Sequence, residues 1–217
     1  MVAKSQTAGR GRKDRSWLSP VGGLYFSLLL NPRPTIESAP LMGLLGACAV
    51  ARSLTTLGVK NVKLKWPNDV QIEDSKISGI LSEAVTLGDD SLGIIMGIGV
   101  NQNCPVSDMP PGLEWPTTSV VDELGKETSI ESLLCSIVNE IDARLQTVGR
   151  DSSFKAILDE WRKISATLGA KIRVHEEGKV TEGVAKDIGE DGALIVETDD
   201  GEVNVLLGDV SHLRTKE

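Results

Sequence analysis

Glycine alternates with cationic side chains in a short segment near the start of the chain. Residues 9–17 read Gly-Arg-Gly-Arg-Lys-Asp-Arg-Ser-Trp. Glycine lets the backbone bend and approach a ligand closely, and three arginines with one lysine concentrate fixed positive charge there. These residue types at this spacing suit the binding of a small anion. A basic surface loop and a nucleic-acid-binding arm are the alternative interpretations of the segment taken alone.

This positive segment belongs to an acidic protein. The 217 residues carry a formal net charge of −8. Residues 1–17 hold five basic residues against one acidic residue, whereas residues 186–209 hold one basic residue against eight acidic ones. The acidic balance argues against a general nucleic-acid binder and favours a local site for a small anion.

Cysteine and histidine are too sparse for a disulfide framework or a histidine metal site. The three cysteines show no Cys-x-x-Cys spacing, which fits a reducing compartment. Cys48 and Cys135 lie in apolar helical patterns, so we predict that both are core residues. The two histidines, His175 and His212, lie far along the chain from the cationic segment. Neither a signal peptide nor a run of about 18 apolar residues is visible, so we expect a cytoplasmic protein without a membrane span.

Three further blocks accompany the first segment in a specific order. Lys65–Asp69 reads Lys-Trp-Pro-Asn-Asp, Lys76–Leu81 reads Lys-Ile-Ser-Gly-Ile-Leu, and Gly97–Asn101 reads Gly-Ile-Gly-Val-Asn. Each block alone is weakly specific. Together with Gln6 and residues 9–17, they resemble the motifs of the biotin protein ligase family over nearly the whole chain.

The resemblance implies an enzyme that adenylates biotin with ATP and then transfers biotin to a lysine of a carboxylase carrier domain. Biotin is a carboxylate and ATP is a polyphosphate, so joining them requires positive charge that spans both anions. The carboxylate of biotin attacks the α-phosphate, so catalysis needs positioning and electrostatic stabilisation but no protein nucleophile. The ligands that we expect are ATP, Mg²⁺ and the substrate biotin.

The resemblance and this chemical demand assign roles to individual residues. The predicted catalytic residues are Arg12, Lys65, Asp69 and Lys76. The predicted biotin-binding residues are Gln6, Arg10, Gly11, Arg12, Lys76 and Gly79. The predicted ATP-binding residues are Arg10, Arg12, Trp17, Lys65, Asn68 and Asn101. Asp69 is also the candidate for holding Mg²⁺ or accepting a proton from the incoming lysine, and we expect the loop to be mobile when empty and ordered when filled.

Two other functions remain open. A related ligase that uses lipoate or octanoate would share the fold, although the Gly-Arg-Gly-Arg and Lys-Trp-Pro-Asn-Asp blocks favour biotin. Family members usually begin with a further strand, a Ser-Thr-Asn element that hydrogen-bonds the biotin ring, and a helix, and nothing here matches them. A truncated, inactive scaffold is therefore the second alternative. Taken alone, Lys76 would be an exposed lysine after a turn, and Asn68 with Asp69 would be a turn after Pro67.

The resemblance also implies the partners. We expect a biotin carboxyl carrier domain and a homodimer, because an exposed sheet edge can add strands from either. We expect no nucleic acid and no membrane.

The elements that must position these residues follow an α+β pattern. A mixed β-sheet packed on helices is predicted for a catalytic domain over residues 1–166, and a small SH3-like barrel over residues 167–217. The predicted strands of the first domain are Gly22–Leu30 (stopped by Asn31–Pro34), Val62–Trp66, Val70–Ile72, Lys76–Val85 and Leu92–Val100. The predicted helices begin near Ser38 and end at Gly58, begin at a capping box of Thr128 and Glu131, and cover Phe154–Ile164, while residues 102–118 form a loop. The predicted barrel strands are Lys171–His175, Val180–Asp187, Ala193–Glu197 and Val203–Leu207.

Overall fold

The computed structural model describes residues 1–13, 15–30, 38–86, 92–113, 115–151, 153–176, 178–206 and 208–213. Asp14, the stop predicted at Asn31–Pro34 and the predicted strand end at Leu207 lie outside this range. The described residues form two β-sheets and four α-helices, which agrees with the predicted α+β class.

A six-stranded sheet supports the first domain. Its strands are β1 (Val2–Ala3), β2 (Leu24–Leu30), β3 (Val62–Lys65), β4 (Asp69–Ile72), β5 (Ser75–Thr86) and β6 (Leu92–Val100). They lie in the order β1-β2-β6-β5-β4-β3. Among the described residues every ladder in this sheet is antiparallel, and parallel pairing there is limited to two isolated bridges, Leu64 with Ser165 and Lys76 with Thr117. The sheet is therefore antiparallel where a mixed one was predicted.

Helix α1 (Ala39–Leu57) covers one face of this sheet. Ser38 precedes it, a proline occupies its first turn, and Gly58 ends it in the left-handed conformation, as the sequence predicted. By length and composition alone α1 is apolar enough to cross a membrane, and it is the one such helix among the described residues. However, 72% of its apolar window is buried inside the protein, as in a core helix.

Three further helices follow: α2 (Val120–Leu124), α3 (Ile130–Asp151) and α4 (Lys155–Ile164), of which α3 and α4 pack against α1. The predicted capping box at Thr128 was one residue early, because Ser129 Oγ accepts the hydrogen bond from Ser132 N instead. The Thr128 side chain accepts one from Gln102. Cys135 on α3 is exposed, so its predicted place in the core was wrong, whereas Cys48 is buried.

A five-stranded antiparallel sheet forms the C-terminal part. Its strands are β7 (Lys171–Glu176), β8 (Lys179–Ile188), β9 (Leu194–Thr198), β10 (Gly201–Val205) and β11 (Asp209–His212), in the order β10-β9-β8-β7-β11. The sequence analysis missed β11. In the part of the chain that the structure describes, the end strands β10 and β11 are not paired, so the SH3-like arrangement is an open barrel.

Trp66 joins the two parts of the molecule. Its indole Nε1 donates to Gly192 O at 3.1 Å, and its backbone N donates to Thr167 Oγ1 at 2.9 Å. Only 2% of its surface is exposed, which confirms that Trp66 is a core residue. Because the C-terminal sheet is fixed against the end of β3 in this way, β11 comes to lie beside the cationic loop.

Candidate active site

A cavity of about 1010 Å³ lies between the six-stranded sheet, the N-terminal loop and the C-terminal sheet. All eleven predicted site residues line it: Gln6, Arg10, Gly11, Arg12, Trp17, Lys65, Asn68, Asp69, Lys76, Gly79 and Asn101. They come from segments up to 95 positions apart in the chain, Gln6 to Asn101. The fold thus brings together the residues that the motifs singled out, while their individual roles stay predictions.

The loop over the cavity is a hairpin of two antiparallel arms. Trp17 N donates to Gly9 O at 2.8 Å, Gly11 N donates to Arg15 O at 2.7 Å, and Gln6 N donates to Ser19 O at 3.3 Å. Gly9 is required where the arms cross, because a Cβ there would lie 2.4 Å from Trp17 O. The glycines therefore serve the close approach of one arm to the other as well as any approach to a ligand.

Glycines form the floor of the cavity. Gly79 of β5 and Gly99 of β6 are paired directly across the sheet. Their neighbour Ile80 faces α1, since it lies against Gly46, so Gly79 and Gly99 face away from the helix. The indole of Trp17 rests on this floor, and a Cβ at Gly99 would come within 2.6 Å of Trp17 Nε1.

A lysine and an aspartate form an ion pair at the centre of the site. Lys76 Nζ lies 2.6 Å from Asp69 Oδ1, and each side chain is 23% exposed. The ammonium also lies 5.3 Å from the centre of the Trp17 ring, within cation–π distance. Antiparallel pairing of β4 and β5 brings the two residues together, and a register shift between Val70 and Gln71 lies beside them.

The two predicted asparagines hold the backbone around this pair. Asn68 Nδ2 donates to Ile80 O at 2.6 Å, and Asn101 Nδ2 donates to Thr118 O at 3.0 Å. Both amide groups therefore support the strands and the neighbouring loop. A nucleotide contact from either residue would use its side-chain oxygen or the second hydrogen of its amide NH₂ group.

The loop predicted for residues 102–118 supplies a wall that the sequence analysis missed. Lys65 Nζ lies 4.9 Å from the centre of the Trp115 ring. Backbone bonds between Lys76 and residues 116–118 fasten this wall to β5. Trp115 therefore gives the cavity a second indole in addition to that of Trp17. The lone tryptophan in a Pro- and Gly-rich segment was the only signal for it.

Carboxylates at the rim bind the cations of the loop. Arg10 Nη2 lies 2.9 Å from Glu83 Oε2 in an exposed pair. Arg12, Lys13 and Arg15 gather around Asp209, the first residue of β11. Neither Glu83 nor Asp209 was among the predicted site residues, because each partner lies more than 70 positions from the loop in sequence.

Partial burial changes the titration of two cations in the cavity. Burial lowers the pKa of the Arg12 guanidinium, against the opposing effect of Asp209. Burial also lowers the pKa of the Lys65 ammonium, against the opposing effect of Asp69, while the nearby Lys76 charge lowers it further. Cations that are partly dehydrated bind anions more strongly than exposed ones, so the site is prepared for anionic ligands.

A metal site made by the protein alone is not found among the residues that the structure describes. No group of three or more His, Cys, Asp or Glu side chains could hold an ion there. The cavity carboxylates Asp69, Glu83 and Asp209 are each engaged by a cation. Mg²⁺ would therefore depend on oxygen ligands that arrive with a polyphosphate, with Asp69 as the protein ligand nearest the centre.

Comparison with protein-family models assigns both parts of the chain. Residues 1–101 match the Biotin/lipoate A/B protein ligase family, and residues 167–213 match the Biotin protein ligase C terminal domain. Among curated proteins, the chain is 32% identical over 203 residues to a biotin–[acetyl-CoA-carboxylase] ligase of Paracoccus denitrificans, covering 90% of this chain and 82% of the relative. The models leave the boundary predicted between residues 166 and 167 untested.

Two further relatives set the extent of the similarity. The chain is 30% identical over 211 residues to the bifunctional ligase/repressor BirA of Bacillus subtilis, but it spans only 65% of that protein's length. Among solved structures, the biotin protein ligase from Aquifex aeolicus in complex with biotin and ATP superposes with a TM-score of 0.83. It is 31% identical, and the match covers 99% of this chain and 88% of that one.

Proposed function

Because the chain belongs to the biotin protein ligase family, we propose that it forms biotinyl-AMP from biotin and ATP and transfers biotin to a lysine of a carrier domain. The observation that carries the proposal is the convergence of Arg10, Arg12, Lys65 and Lys76 on one cavity. Each of these cations can contact an anionic oxygen of a carboxylate or a polyphosphate, while Asp69, Glu83 and Asp209 offset part of the positive charge of the cavity. The Aquifex aeolicus relative, which was solved with biotin and ATP, supports the same pair of ligands.

In the first step a carboxylate oxygen of biotin attacks the α-phosphorus of ATP, and the bond to the bridging oxygen of pyrophosphate breaks. The Lys76 ammonium holds the carboxylate against the phosphate, and Arg12 and Lys65 stabilise the charge of the crowded phosphate and of the departing pyrophosphate. Gly79 and Gly99 let the Trp17 indole lie close against the floor of the cavity. Asp69 would be the protein ligand of a Mg²⁺ ion bound to the phosphates, and such an ion would neutralise part of their charge.

In the second step the amine of a carrier lysine attacks the acyl carbon of the anhydride, and AMP leaves with the electron pair of the broken bond. The attacking amine must lose a proton. Asp69, which lies beside Lys76, is the acceptor in the cavity that we assign to this proton. Carrier domains that present such a lysine are the proposed partners, as the name of the Paracoccus denitrificans relative implies.

A pyrophosphate-release assay on this chain tests the proposal, with biotin, ATP and Mg²⁺ and with lipoate or octanoate in place of biotin. We expect release with biotin only, and biotin transfer when an unmodified carrier domain is added. Faster release with lipoate or octanoate would show that one of these acids, and not biotin, is the substrate. Absence of release with all three acids would favour an inactive scaffold. We also expect biotin and ATP together to raise the melting temperature by more than the sum of their separate effects, because both ligands contact the same loop.

We further propose a homodimer that forms along the β1–β2 edge of the sheet. Leu29 and its cross-strand partner Ile95 are exposed there, at 57% and 37%. Sedimentation at micromolar concentration should give twice the mass of the chain, and Leu29→Glu should shift it toward the monomer. A monomer at all concentrations would contradict this arrangement.

We also propose that the protein works in the cytoplasm, where its three unpaired cysteines stay reduced. Fractionation of cells that express it should recover the protein with the cytoplasmic marker, and recovery with the membrane or periplasm would overturn this.

A further inference from the structure

The chain between α4 and β7 runs beside the outer edge of β3. Leu64 and Ser165 form an isolated parallel bridge, and Ala166 N donates to Leu64 O at 2.8 Å. β3 is the last strand of the six-stranded sheet, with β4 on its other side. Residues 165–167, which we call the edge segment, therefore extend the hydrogen bonding of the sheet beyond β3.

Thr167 supplies the next hydrogen bond along this edge with its side chain. Trp66 N donates to Thr167 Oγ1 at 2.9 Å. Both residues are buried, with exposed fractions of 0% for Thr167 and 2% for Trp66. The hydroxyl oxygen thus takes the place that a backbone carbonyl has in a strand ladder. Removing this oxygen would leave a buried amide without its acceptor, which is costly.

The backbone around Thr167 fixes where this oxygen lies. Ser165 Oγ accepts from Thr167 N at 3.0 Å and from Leu168 N at 3.1 Å. Ala170 N donates to Thr167 O at 3.2 Å. Both main-chain polar groups of Thr167 are therefore engaged in the turn that leads into the C-terminal sheet, so its side chain has a defined direction toward β3.

Lys65 lies between the two residues of β3 and its end that the edge segment holds. Successive side chains of a strand point to opposite faces. Leu64 and Trp66 are buried, whereas Lys65 lines the cavity, with Nζ 4.9 Å from the centre of the Trp115 ring. Turning Lys65 away from the cavity would therefore require the hydrogen bonds from the edge segment on both sides of it to break.

We propose that Thr167 is a positioning residue for ATP: its hydroxyl oxygen holds Trp66 N and so keeps the Lys65 ammonium directed at the phosphates. Thr167 does not line the cavity, so it acts through Lys65 without touching the ligand. The inference rests on the proposed function, which makes ATP the ligand of Lys65. It gives a role in the reaction to the first residue of the region that matches the C-terminal domain model.

Thr167→Val tests this role, because it keeps the shape of the side chain and removes the acceptor. We expect KM for ATP in pyrophosphate release to rise about tenfold, as when one hydrogen bond to a charged group is lost. KM for biotin should stay within about twofold of wild type. Thr167→Ser, which keeps the oxygen, should return KM for ATP to near the wild-type value. An equal rise in both KM values, or none in either, would overturn the proposal.

Thr181→Val is the matched control in the C-terminal sheet. Thr181 of β8 is 5% exposed, and its Oγ1 has no hydrogen-bond partner among the residues that the structure describes. KM for ATP should therefore not change. Hydrogen exchange of the Trp66 amide, followed by NMR, should speed up about tenfold or more in Thr167→Val only. Equal KM or exchange changes in the two valine variants would contradict the assigned contact.

A double-mutant cycle with Lys65→Met decides whether Thr167 acts through the ammonium. Once the ammonium is absent, adding Thr167→Val should raise KM for ATP by less than about twofold more. A further tenfold rise in the double variant would mean that Thr167 supports ATP binding by another route, and the proposal would fail.

Calorimetric titration with ATP alone separates this inference from the proposed function. If the wild-type chain releases no pyrophosphate but Thr167→Val weakens ATP binding about tenfold, the proposed function fails and the positioning role stands. Pyrophosphate release with ATP affinity unchanged in Thr167→Val would leave the function standing and overturn the positioning role. A wild-type chain that neither releases pyrophosphate nor binds ATP would overturn both.

Discussion

The floor of the cavity and the loop above it are held by different kinds of interaction. The floor consists of adjacent strands, where Lys76, Gly79 and Gly99 are fixed by backbone hydrogen bonds. The loop is held mainly by side-chain contacts from Arg10, Arg12, Lys13 and Arg15 to oxygens far away in sequence. Backbone ladders resist salt and point mutation, whereas ion pairs respond to both.

This difference suits a site that must admit and release charged ligands. The backbone ladder holds the central lysine and its aspartate on adjacent strands. The loop can exchange a protein carboxylate for a ligand carboxylate or phosphate, because the partners are chemically alike. Substitutions in the floor should therefore lower kcat or the free energy of unfolding. Substitutions of the carboxylates that bind the loop should change how firmly the loop is held over the cavity.

Lys76→Ala tests the floor most severely. The ammonium that we assign to the biotin carboxylate is lost, and Asp69 loses its ion pair. We expect kcat/KM for biotinyl-AMP formation to fall by about 10²- to 10³-fold, as when one electrostatic contact to a transition state is removed. The measurement is pyrophosphate release, with circular dichroism to confirm the fold.

Lys63→Ala provides the control for this change. Lys63 lies on β3, which β4 separates from the strand of Lys76; its side chain is exposed and does not line the cavity. Its removal should leave kcat/KM within about twofold of wild type. Activity retained in Lys76→Ala, or lost equally in Lys63→Ala, would remove the assigned role.

Gly99→Ala tests whether the floor needs its glycines. The new Cβ would lie 2.6 Å from Trp17 Nε1, so the indole must move. Because the ring belongs to a loop that can yield, we expect a loss of about 1 kcal/mol in the free energy of unfolding, at the lower end for overpacking. Chemical denaturation provides the measurement.

Gly97→Ala is the matched control on the same strand. Its Cβ would meet Leu81 O at 3.7 Å and Ser27 Oγ at 3.9 Å, which are ordinary contacts. The free energy of unfolding should change by less than about 0.5 kcal/mol. Equal losses in both variants would mean that the Trp17 contact does not matter to the fold.

The same division separates what the sequence predicts from what it does not. The floor was predictable, because the sequence predicted strands at Val70–Ile72, Lys76–Val85 and Leu92–Val100, which correspond to β4, β5 and β6. The contacts of the loop were not, since Glu83 and Asp209 are ordinary surface acids until the fold places them beside arginines. Trp115 was missed as well, because only the fold places its ring beside Lys65.

The wrong predictions for helix α3 have a local physical cause. Ser129 and Thr128 are both good capping residues, and only the geometry of Asn103, which accepts from Thr128 N, assigns the cap to Ser129. Cys135 satisfied an apolar period although its face of α3 is exposed. Periodicity finds a helix more reliably than it finds the residues at the edge of the buried face.

Glu83→Gln tests the exposed ion pair between Glu83 and Arg10 of the loop. Arg10 is 72% exposed and Glu83 is 40% exposed, so their ion pair is screened by water. We expect its loss to cost less than about 1 kcal/mol in unfolding free energy, and less than Asp209→Asn, which removes the less exposed contacts of Arg15 and Lys13. Chemical denaturation at low and high salt compares the two variants. A larger effect from Glu83→Gln would mean that the loop is anchored at its exposed end.

The smallest predicted effect concerns pH and the cation at the wall of the cavity. Lysine binds phosphate as the ammonium form, which exists below its pKa. Because burial lowers the pKa of Lys65, this charge is lost as pH rises at a lower pH than for an ordinary lysine, whose pKa is about 10.4. KM for ATP should therefore rise on the alkaline side in wild type, and Lys65→Arg, which keeps its charge, should move that rise to higher pH. Lys63→Arg should leave the profile unchanged, and superimposable wild-type and Lys65→Arg profiles would show that the Lys65 charge does not contribute to ATP binding.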